Sequence, residues 1–241
     1  DLLNSNLCNR LITEQEAFHM PGEETCYHAM TIGYMINQLF QNLTNMTVGK
    51  FIKTNLVKNK NIKCFIGTPE SEFSNIAKTK KLPSSNKKKF KNFDVYHTRA
   101  FQNPNVTTAD TNKKKWIMAE IPALNCHSNA SSLARLYDSF NKKEKIITQE
   151  TFKKITKIEN YNMDHVLRMP IKWSTIGYII DGGKLFGNSK NSYGHTGSGG
   201  SLAFSDPDKN ISIAYTPNYL SENNFNDNRA TKLIGEVFKN L

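Results

Sequence analysis

The last third of the sequence alternates between short apolar runs and turn residues, and this pattern constrains the fold more than any other feature. The runs at 176–180, 201–204 and 211–215 are too short for typical helices and have the apolar or alternating character of strands. An Asp-Pro-Asp turn at 206–208 separates the last two runs. These two runs are therefore predicted to form an antiparallel hairpin.

Helical periodicity precedes and follows the strands. Apolar residues recur every three or four positions in five segments, 27–40, 48–57, 129–140, 148–158 and 228–241. Asn129 or Ser131 suits the N-cap of the third segment, because a short polar side chain can accept from the first backbone N–H groups of a helix. Helices followed by an antiparallel meander and a terminal helix indicate an α+β fold. We therefore expect a mainly helical region over 1–165, and strands with a C-terminal helix over 166–241.

The composition argues against a membrane or nucleic-acid role. No apolar run approaches the ~20 residues of a membrane-spanning helix, and the mean hydropathy of −0.56 predicts a soluble chain. The net charge of +11 comes from 32 Lys and Arg against 21 Asp and Glu, but only five of these cations are arginine. Because arginine favours bidentate contacts to phosphate and guanine, we predict no nucleic-acid partner. The lysine-rich stretch 78–91 lacks periodicity and is predicted to be an exposed loop.

No spacing in the sequence indicates a metal site or a disulfide framework. The cysteines form no C-x-x-C pair and match no zinc pattern, Cys8, Cys26, Cys64 and Cys126. His28 and His127 belong to no H-x-x-x-H motif or carboxylate-paired cluster. We therefore predict no metal and no cofactor. Three polar residues near the end of the helical region are interpreted as structural, Asp164, His165 and Arg168.

Two short segments carry side chains suited to acyl chemistry. Tyr27 opens Y-H-A-M-T, and the second segment, 194–201, reads G-H-T-G-S-G-G-S. Its four glycines leave little side chain along the strand, so a substrate could approach and accept hydrogen bonds from backbone N–H groups. His195 as a cation and the hydroxyls of Thr196 and Ser198 would suit a carboxylate or a developing oxyanion. A glycine-rich bend with an ordinary surface histidine explains the same residues, and both interpretations stay open at this point.

Five motifs, taken in order, resemble the β-lactamase-related serine hydrolases. They are F-H-M-P-G-x-x-x-x-Y-H-A-M-T-I-G-Y, I-G-T-P-E-S-E, R-A-F-Q-N-P-N, S-L-A-R-L-Y and Y-G-H-T-G-S-G-G-S-L-A-F-S-D-P-D. This group contains class C β-lactamases, D-alanyl-D-alanine peptidases and family VIII esterases. The similarity runs from Glu14 to the C-terminus and is greatest to the branch with Y-H-A-x-T and H-T-G motifs.

The resemblance implies an α/β sheet beside a helical domain, with the catalytic cleft between them. It implies that Tyr27 shuttles a proton between nucleophile and leaving group, and that His195 supplies positive charge that would stabilise the phenolate. The N–H of Ser198, which follows Thr196 and Gly197, would belong to the oxyanion hole. The implied substrate is a small ester, amide or peptide. Ala29, which replaces an asparagine found in many relatives, favours ester hydrolysis over β-lactam turnover.

The resemblance also implies a nucleophilic serine in an S-x-x-K motif upstream of Tyr27, but residues 1–26 contain no such motif. Literal matches occur only after Tyr27 and are interpreted as coincidence, at Ser84/Lys87, Ser85/Lys88 and Ser139/Lys142. We therefore expect a β-lactamase/transpeptidase-like fold that is incomplete at its N-terminus, inactive by itself and poorly stable. The alternative is a natural, non-catalytic binding or scaffold protein that keeps the cleft.

Overall fold

The computed structural model describes residues 1–57, 62–83, 94–141, 147–180, 183, 185–222 and 227–241. These residues form two compact units. The first takes in the described residues of 1–79 and 88–128 together with Asp164–Met169. The second takes in the described residues of 80–87, 129–163 and 170–241. Of the three S-x-x-K matches, those at 84–88, and Lys142 of the third, lie outside the described residues.

Helices and one small sheet form the first unit. The helices are α1 Ser5–Glu14, α2 Thr31–Thr44, α3 Val48–Phe51, α4 Val95–Gln102, α5 Thr108–Thr111 and α6 Lys114–Met118. A π-helical turn, Ile52–Val57, continues α3, and a 3₁₀ helix spans Glu70–Asn75. Strands β1, Cys64–Ile66, and β3, Cys126–Ser128, pair antiparallel. Short polar side chains at Asn4, Thr47 and Asp94 accept backbone N–H groups and so define where α1, α3 and α4 begin.

Helix α2 begins at Thr31 rather than at Tyr27, where the apolar periodicity starts. Thr25 forms an isolated parallel bridge with Asp164, and the N–H of Tyr27 donates to Oδ1 of Asp164 at 3.3 Å. Both contacts hold the chain before α2 in a non-helical conformation. The predicted start was therefore wrong by about one turn, because a carboxylate 137 residues further along the chain binds backbone that would otherwise join the helix.

The core of the first unit brings together side chains that are far apart in sequence. The buried members of one hydrophobic cluster in this core are Cys8, Tyr34, Trp116 and Ile121. The Tyr34 hydroxyl donates to the Leu2 carbonyl oxygen at 2.6 Å, so the polar end of this buried ring is satisfied. Another side of α2 leaves large apolar side chains exposed, with Leu43 75% exposed.

A six-stranded sheet dominates the second unit. Its strands are β4 Ile158–Asp164, β5 Met169–Ser174, β6 Ile179–Ile180, β7 Tyr193–Thr196, β8 Leu202–Asp206 and β9 Ile211–Tyr215. They lie in the order β4-β5-β6-β7-β8-β9, so each strand neighbours the next one in the sequence. A parallel pair joins β2, Lys80–Lys81, to β10, Tyr219–Leu220. The unit also contains helices α7 Ala130–Asn141, α8 Gln149–Thr156 and α9 Asn228–Lys239.

Helices α7 and α9 pack on opposite faces of this sheet. Tyr193 pairs with Ser205 and Gly194 pairs with Phe204, and alternate residues of a strand face opposite sides. The Tyr193 hydroxyl donates to Oδ1 of Asn141 at the end of α7, at 3.1 Å. On the other face, the Phe204 ring stacks with Phe238 of α9, with centroids 6.5 Å apart. Both faces of the central strands are therefore covered within this unit.

The α+β prediction is confirmed, and so is the hairpin of the last two strands. Strands β8 and β9 pair antiparallel from Leu202↔Tyr215 to Asp206↔Ile211. At the predicted turn, Oδ1 of Asp206 accepts the N–H groups of Asp208 and Lys209, which closes the loop. Between the two candidate N-caps of α7, the structure selects Asn129, whose Oδ1 accepts from the N–H of Ser132.

Two details of the second unit differ from the sequence expectations. The inward face of α9 is narrower than its apolar pattern predicted, because Ile234 is buried while Leu233 is 58% exposed and Val237 is 38% exposed. Within the lysine-rich stretch 78–91, Lys80 and Lys81 form β2, and residues 84–91 lie outside the described part. Among the described helices, none combines the length and apolar character needed to cross a membrane.

Candidate active site

Asp164 holds the segment that carries Tyr27. Its side chain is completely buried, and Oδ1 accepts the N–H groups of Tyr27, Val166 and Leu167 at 3.3, 3.0 and 2.9 Å. The N–H of His165 donates to the Thr25 carbonyl oxygen at 2.9 Å, which adds a backbone contact to the same segment. The structure thus confirms that this acidic residue is structural. Sequence reasoning missed that it positions the candidate catalytic tyrosine.

The environment of Tyr27 favours its protonated phenol. The side chain is half-buried, and its ring lies 6.2 Å from that of Phe101, centroid to centroid. Burial raises the pKa of the phenol, and the nearby charge of Asp164 raises it further. With the surroundings that the first unit provides, Tyr27 is therefore suited to donate a proton. To accept one it would need a positive charge nearby.

His195 lies on β7 in the second unit as a neutral imidazole. Its ring stacks on Trp173 with centroids 6.0 Å apart, and Nδ1 is 2.5 Å from the carbonyl oxygen of Thr196. Because a carbonyl can only accept, this contact places the ring proton on Nδ1. Burial lowers the pKa of the imidazole, and the bond to Thr196 only partly opposes that effect. The cationic form anticipated from the sequence is therefore disfavoured in this environment.

The loop after β7 presents the backbone of Ser198. The N–H of Gly197 donates to the Ser201 carbonyl oxygen at 2.7 Å, toward the start of β8. Gly197 is extended, with φ −123° and ψ 160°, so the N–H of the following residue points to the opposite side. Ser198 is exposed and opens a 3₁₀ turn, Ser198–Gly200. Its N–H is thus directed away from β8 at the end of the strand.

Thr196 contributes a buried hydroxyl at the same strand end. Its side chain is 8% exposed, and Oγ1 has no hydrogen-bond partner among the described residues. A buried hydroxyl without a partner costs free energy, which is recovered when a polar group reaches it. The segment from His195 to Ser198 therefore carries an imidazole and a hydroxyl on opposite faces of β7, because successive side chains of a strand alternate. It also carries an N–H that is directed away from β8.

Close packing explains the glycines of this segment. A Cβ on Gly194 would lie 2.3 Å from the Ala203 carbonyl oxygen and 2.5 Å from the Cβ of Phe204, on the neighbouring strand β8. Gly200 has φ +95°, and a Cβ there would lie 2.0 Å from Oδ2 of Asp227. That carboxylate cannot easily move, since Arg229 binds it through Nε and Nη2. The glycines are needed for the shape of the loop itself, in addition to any access they give a substrate.

Gly200→Ala is expected to destabilise the protein by about 3 kcal/mol, about 1–2 from the positive φ and the rest from displacing Asp227. Gly177→Ala is the matched control, because Gly177 has φ +85° in an exposed turn and nothing lies within 4 Å of a Cβ there. Gly177→Ala should lower the free energy of unfolding only by the cost of the positive φ, about 1–2 kcal/mol. Urea denaturation measures both, and equal losses in the two variants would contradict the packing explanation.

The histidines dismissed as metal ligands have structural partners. Nδ1 of His28 lies 2.8 Å from Oγ1 of Thr31, and Nδ1 of His127 lies 3.0 Å from Oγ1 of Thr68. All four cysteines are free, and the sulfurs of Cys64 and Cys126 lie 3.5 Å apart.

The first unit also contains a group of possible metal ligands with different donor atoms. The spacing of these residues in the sequence did not reveal it. His19, Glu24 and Cys26 place one ligand atom each within 4.8 Å of one another. They are separated by five and two positions in the sequence, which matches none of the zinc motifs considered above.

Comparison with known proteins agrees with the fold and with the sequence motifs. The family model described as Beta-lactamase matches residues 5–236. A penicillin-binding protein homologue from Caulobacter crescentus is similar in structure with a TM-score of 0.89 and 24% identity, over 100% of this chain and 65% of that one. A family VIII carboxylesterase gives a TM-score of 0.88 and 25% identity, over 100% and 65%.

A third solved structure, EstA from Arthrobacter nitroguajacolicus Rue61a, gives a TM-score of 0.83 and 21% identity, over 99% of this chain and 66% of that one. The chain therefore spans about two thirds of the length of these solved structures. Among curated proteins, none matches the sequence.

Proposed function

The chain belongs to the β-lactamase family, and we propose that it supplies the proton-transfer and oxyanion-binding residues of a serine hydrolase for small esters, amides or peptides. One observation carries this proposal, the strand end from His195 to Ser198. There the N–H of the exposed Ser198 is directed away from β8, two residues after the buried Thr196 hydroxyl, which has no partner among the described residues. Such a strand end suits the oxygen of a tetrahedral intermediate.

In the proposed reaction a serine of the intact protein attacks the substrate carbonyl carbon. The N–H of Ser198 donates to the carbonyl oxygen as it becomes negative. The Tyr27 phenol gives a proton to the leaving alcohol or amine, and the proton released by the serine returns to Tyr27. Water then attacks the serine ester, the acyl group leaves as a carboxylic acid, and the serine regains its proton.

His195 acts in this scheme as a neutral hydrogen-bonding group rather than as a cation. With its proton fixed on Nδ1 by the Thr196 carbonyl, Nε2 carries the lone pair and can accept from a protonated group. Burial and the charge of Asp164 keep the phenol of Tyr27 protonated. We propose that the positive charge needed to activate the nucleophile comes from the lysine of an upstream S-x-x-K motif.

Ester substrates are favoured over β-lactams. Ala29 stands where many relatives carry an asparagine, and one of the similar solved structures is a carboxylesterase. The coding sequence upstream of Asp1 offers a simple first test, since the hydrolase proposal expects an S-x-x-K motif there. Its absence from the intact gene would favour a non-catalytic binding protein instead.

Ser198→Pro in the intact protein tests the oxyanion role. Proline removes the N–H but fits the backbone, because Ser198 is the first residue of a 3₁₀ turn and Gly197 is extended. Ser198→Ala keeps the N–H and is the matched comparison. We expect kcat for p-nitrophenyl acetate to be about 10²–10³-fold lower in the proline variant than in the alanine variant. Equal rates in the two variants, with circular dichroism showing both folded, would contradict the proposal.

A further inference from the structure

The segment before Tyr27 gathers three different metal-ligating side chains in the first unit. His19, Glu24 and Cys26 offer an imidazole nitrogen, a carboxylate oxygen and a thiol sulfur, all within 4.8 Å of one another. None of them lies in a helix, and the segment turns at Gly22, which has φ +93°. His19 and Cys26 are half-buried and Glu24 is exposed, so the group is open to solvent on one side.

A hydrogen bond to the backbone orients the imidazole ring of His19. Nδ1 of His19 lies 3.2 Å from the carbonyl oxygen of Met20, and only a protonated Nδ1 can donate to it. The lone pair of the ring is then on Nε2. Metal-bound histidines commonly use this arrangement, in which one ring nitrogen donates to a carbonyl while the other binds the ion.

The electrostatic surroundings favour a cation over a free thiolate. The negative charges of Asp164, Glu24 and Asp94 act on the Cys26 sulfur. These carboxylates oppose an isolated negative sulfur. The same negative field attracts a divalent ion, which in turn stabilises the thiolate that it binds.

The combination of nitrogen, oxygen and sulfur donors selects the type of metal. Calcium and magnesium prefer oxygen ligands alone, whereas zinc accepts imidazole, carboxylate and thiolate together. Around a tetrahedral zinc ion, ligand atoms are about 3.3–3.8 Å apart. Since the three ligand atoms lie within 4.8 Å of one another, they need to draw together by at most about 1.5 Å.

We propose that His19, Glu24 and Cys26 form a zinc site with three protein ligands and a fourth position open to water. Binding replaces the Cys26 S–H bond by a zinc–sulfur bond and releases the proton to solvent. The bound ion would link the segment on either side of the Pro21-Gly22 turn, directly before the backbone that carries Tyr27. The site does not depend on the proposed hydrolase activity.

Metal titration of the purified intact protein tests this site. Zinc is measured by competition with a chromophoric chelator. Cobalt, which occupies zinc sites, is followed by its thiolate charge-transfer absorption in the near ultraviolet. We expect one equivalent of each metal per chain, with the charge-transfer absorption present in the wild type. Cys26→Ser should abolish that absorption, and both Cys26→Ser and His19→Ala should weaken zinc binding by at least about a hundredfold.

Cys126→Ser is the matched control, because it removes a cysteine of the same unit that lies outside the group. It should retain both the stoichiometry and the cobalt spectrum. Circular dichroism of the metal-free variants should match that of the wild type, since the substituted side chains lie on non-helical segments. The proposal is overturned by a wild type that takes up no zinc, by a cobalt complex without thiolate absorption, or by unchanged affinity in Cys26→Ser.

Discussion

Tyr27→Phe in the intact protein is expected to lower kcat for ethyl butyrate, whose leaving ethanol needs a proton, by about 10²–10⁴-fold, the range associated with losing a general acid or base. The substitution removes only the hydroxyl, so the ring can keep its position 6.2 Å from Phe101. The backbone N–H of residue 27 still donates to Asp164. KM should change little, because the lost interaction belongs to proton transfer rather than to substrate binding.

Tyr161→Phe controls for the loss of a tyrosine hydroxyl elsewhere. Tyr161 is 55% exposed on β4, and its substitution should leave kcat within about a factor of two, as expected for a surface change. A Tyr27→Phe protein that hydrolyses the ester at the wild-type rate would exclude the phenol from the reaction. Steady-state kinetics of the three proteins decides between these results.

Asp164→Ala is expected to lower the free energy of unfolding of the first unit by about 4 kcal/mol, because a buried carboxylate would no longer accept three backbone N–H groups and each unpaired donor costs about 1–3 kcal/mol. The bonds concerned are those from Tyr27, Val166 and Leu167. Their loss should also release the segment before α2.

Asp164→Asn provides the matched variant, since its remaining oxygen can still accept the same three bonds. It should cost clearly less than the alanine variant. Asp208→Ala removes an exposed carboxylate and serves as the baseline. It should change the free energy of unfolding by no more than about 0.5 kcal/mol. Urea denaturation followed by circular dichroism measures all three. A loss of 1 kcal/mol or less in Asp164→Ala would contradict the anchoring role assigned to this residue.

Local signals predicted the elements whose contacts are local. Thr148 caps α8 by accepting from the N–H of Thr151, three residues along, and Asn129 does the same for α7. The β8–β9 hairpin followed from an Asp-Pro-Asp turn, and Asp206 closes that turn with bonds to the next few residues. In each case the interacting atoms lie within a few positions, where a sequence pattern is informative.

Elements that depend on distant partners were missed. Strand β4 falls where the sequence analysis expected the end of a helical region, and only Asp164 of this strand is buried, so the usual alternation of apolar residues is absent. The start of α2 was displaced by contacts from Thr25 and Tyr27 to Asp164. Neither feature has a local signal.

In the candidate site too, features with a local signal were predicted and features that depend on distant contacts were not. The sequence identified Tyr27 and the segment from His195 to Ser198 through their motifs. It could not give the protonation of His195, because that depends on burial against Trp173, which lies 22 positions earlier in the chain. It could not reveal the group of His19, Glu24 and Cys26 either, because the turn between Met20 and Glu23 brings these side chains together rather than a recognised spacing.

The proposed function requires that Tyr27 and the strand end at His195 act on one substrate. An experimental structure of the intact protein with a phosphonate ester bound to its nucleophilic serine tests this most directly, because the phosphonate mimics the tetrahedral intermediate. We expect one phosphonate oxygen to accept from the N–H of Ser198 and the Tyr27 hydroxyl to lie within hydrogen-bonding distance of the serine oxygen. A protein that takes up no phosphonate, or a structure in which Tyr27 and Ser198 contact different regions of the molecule, would contradict the claim.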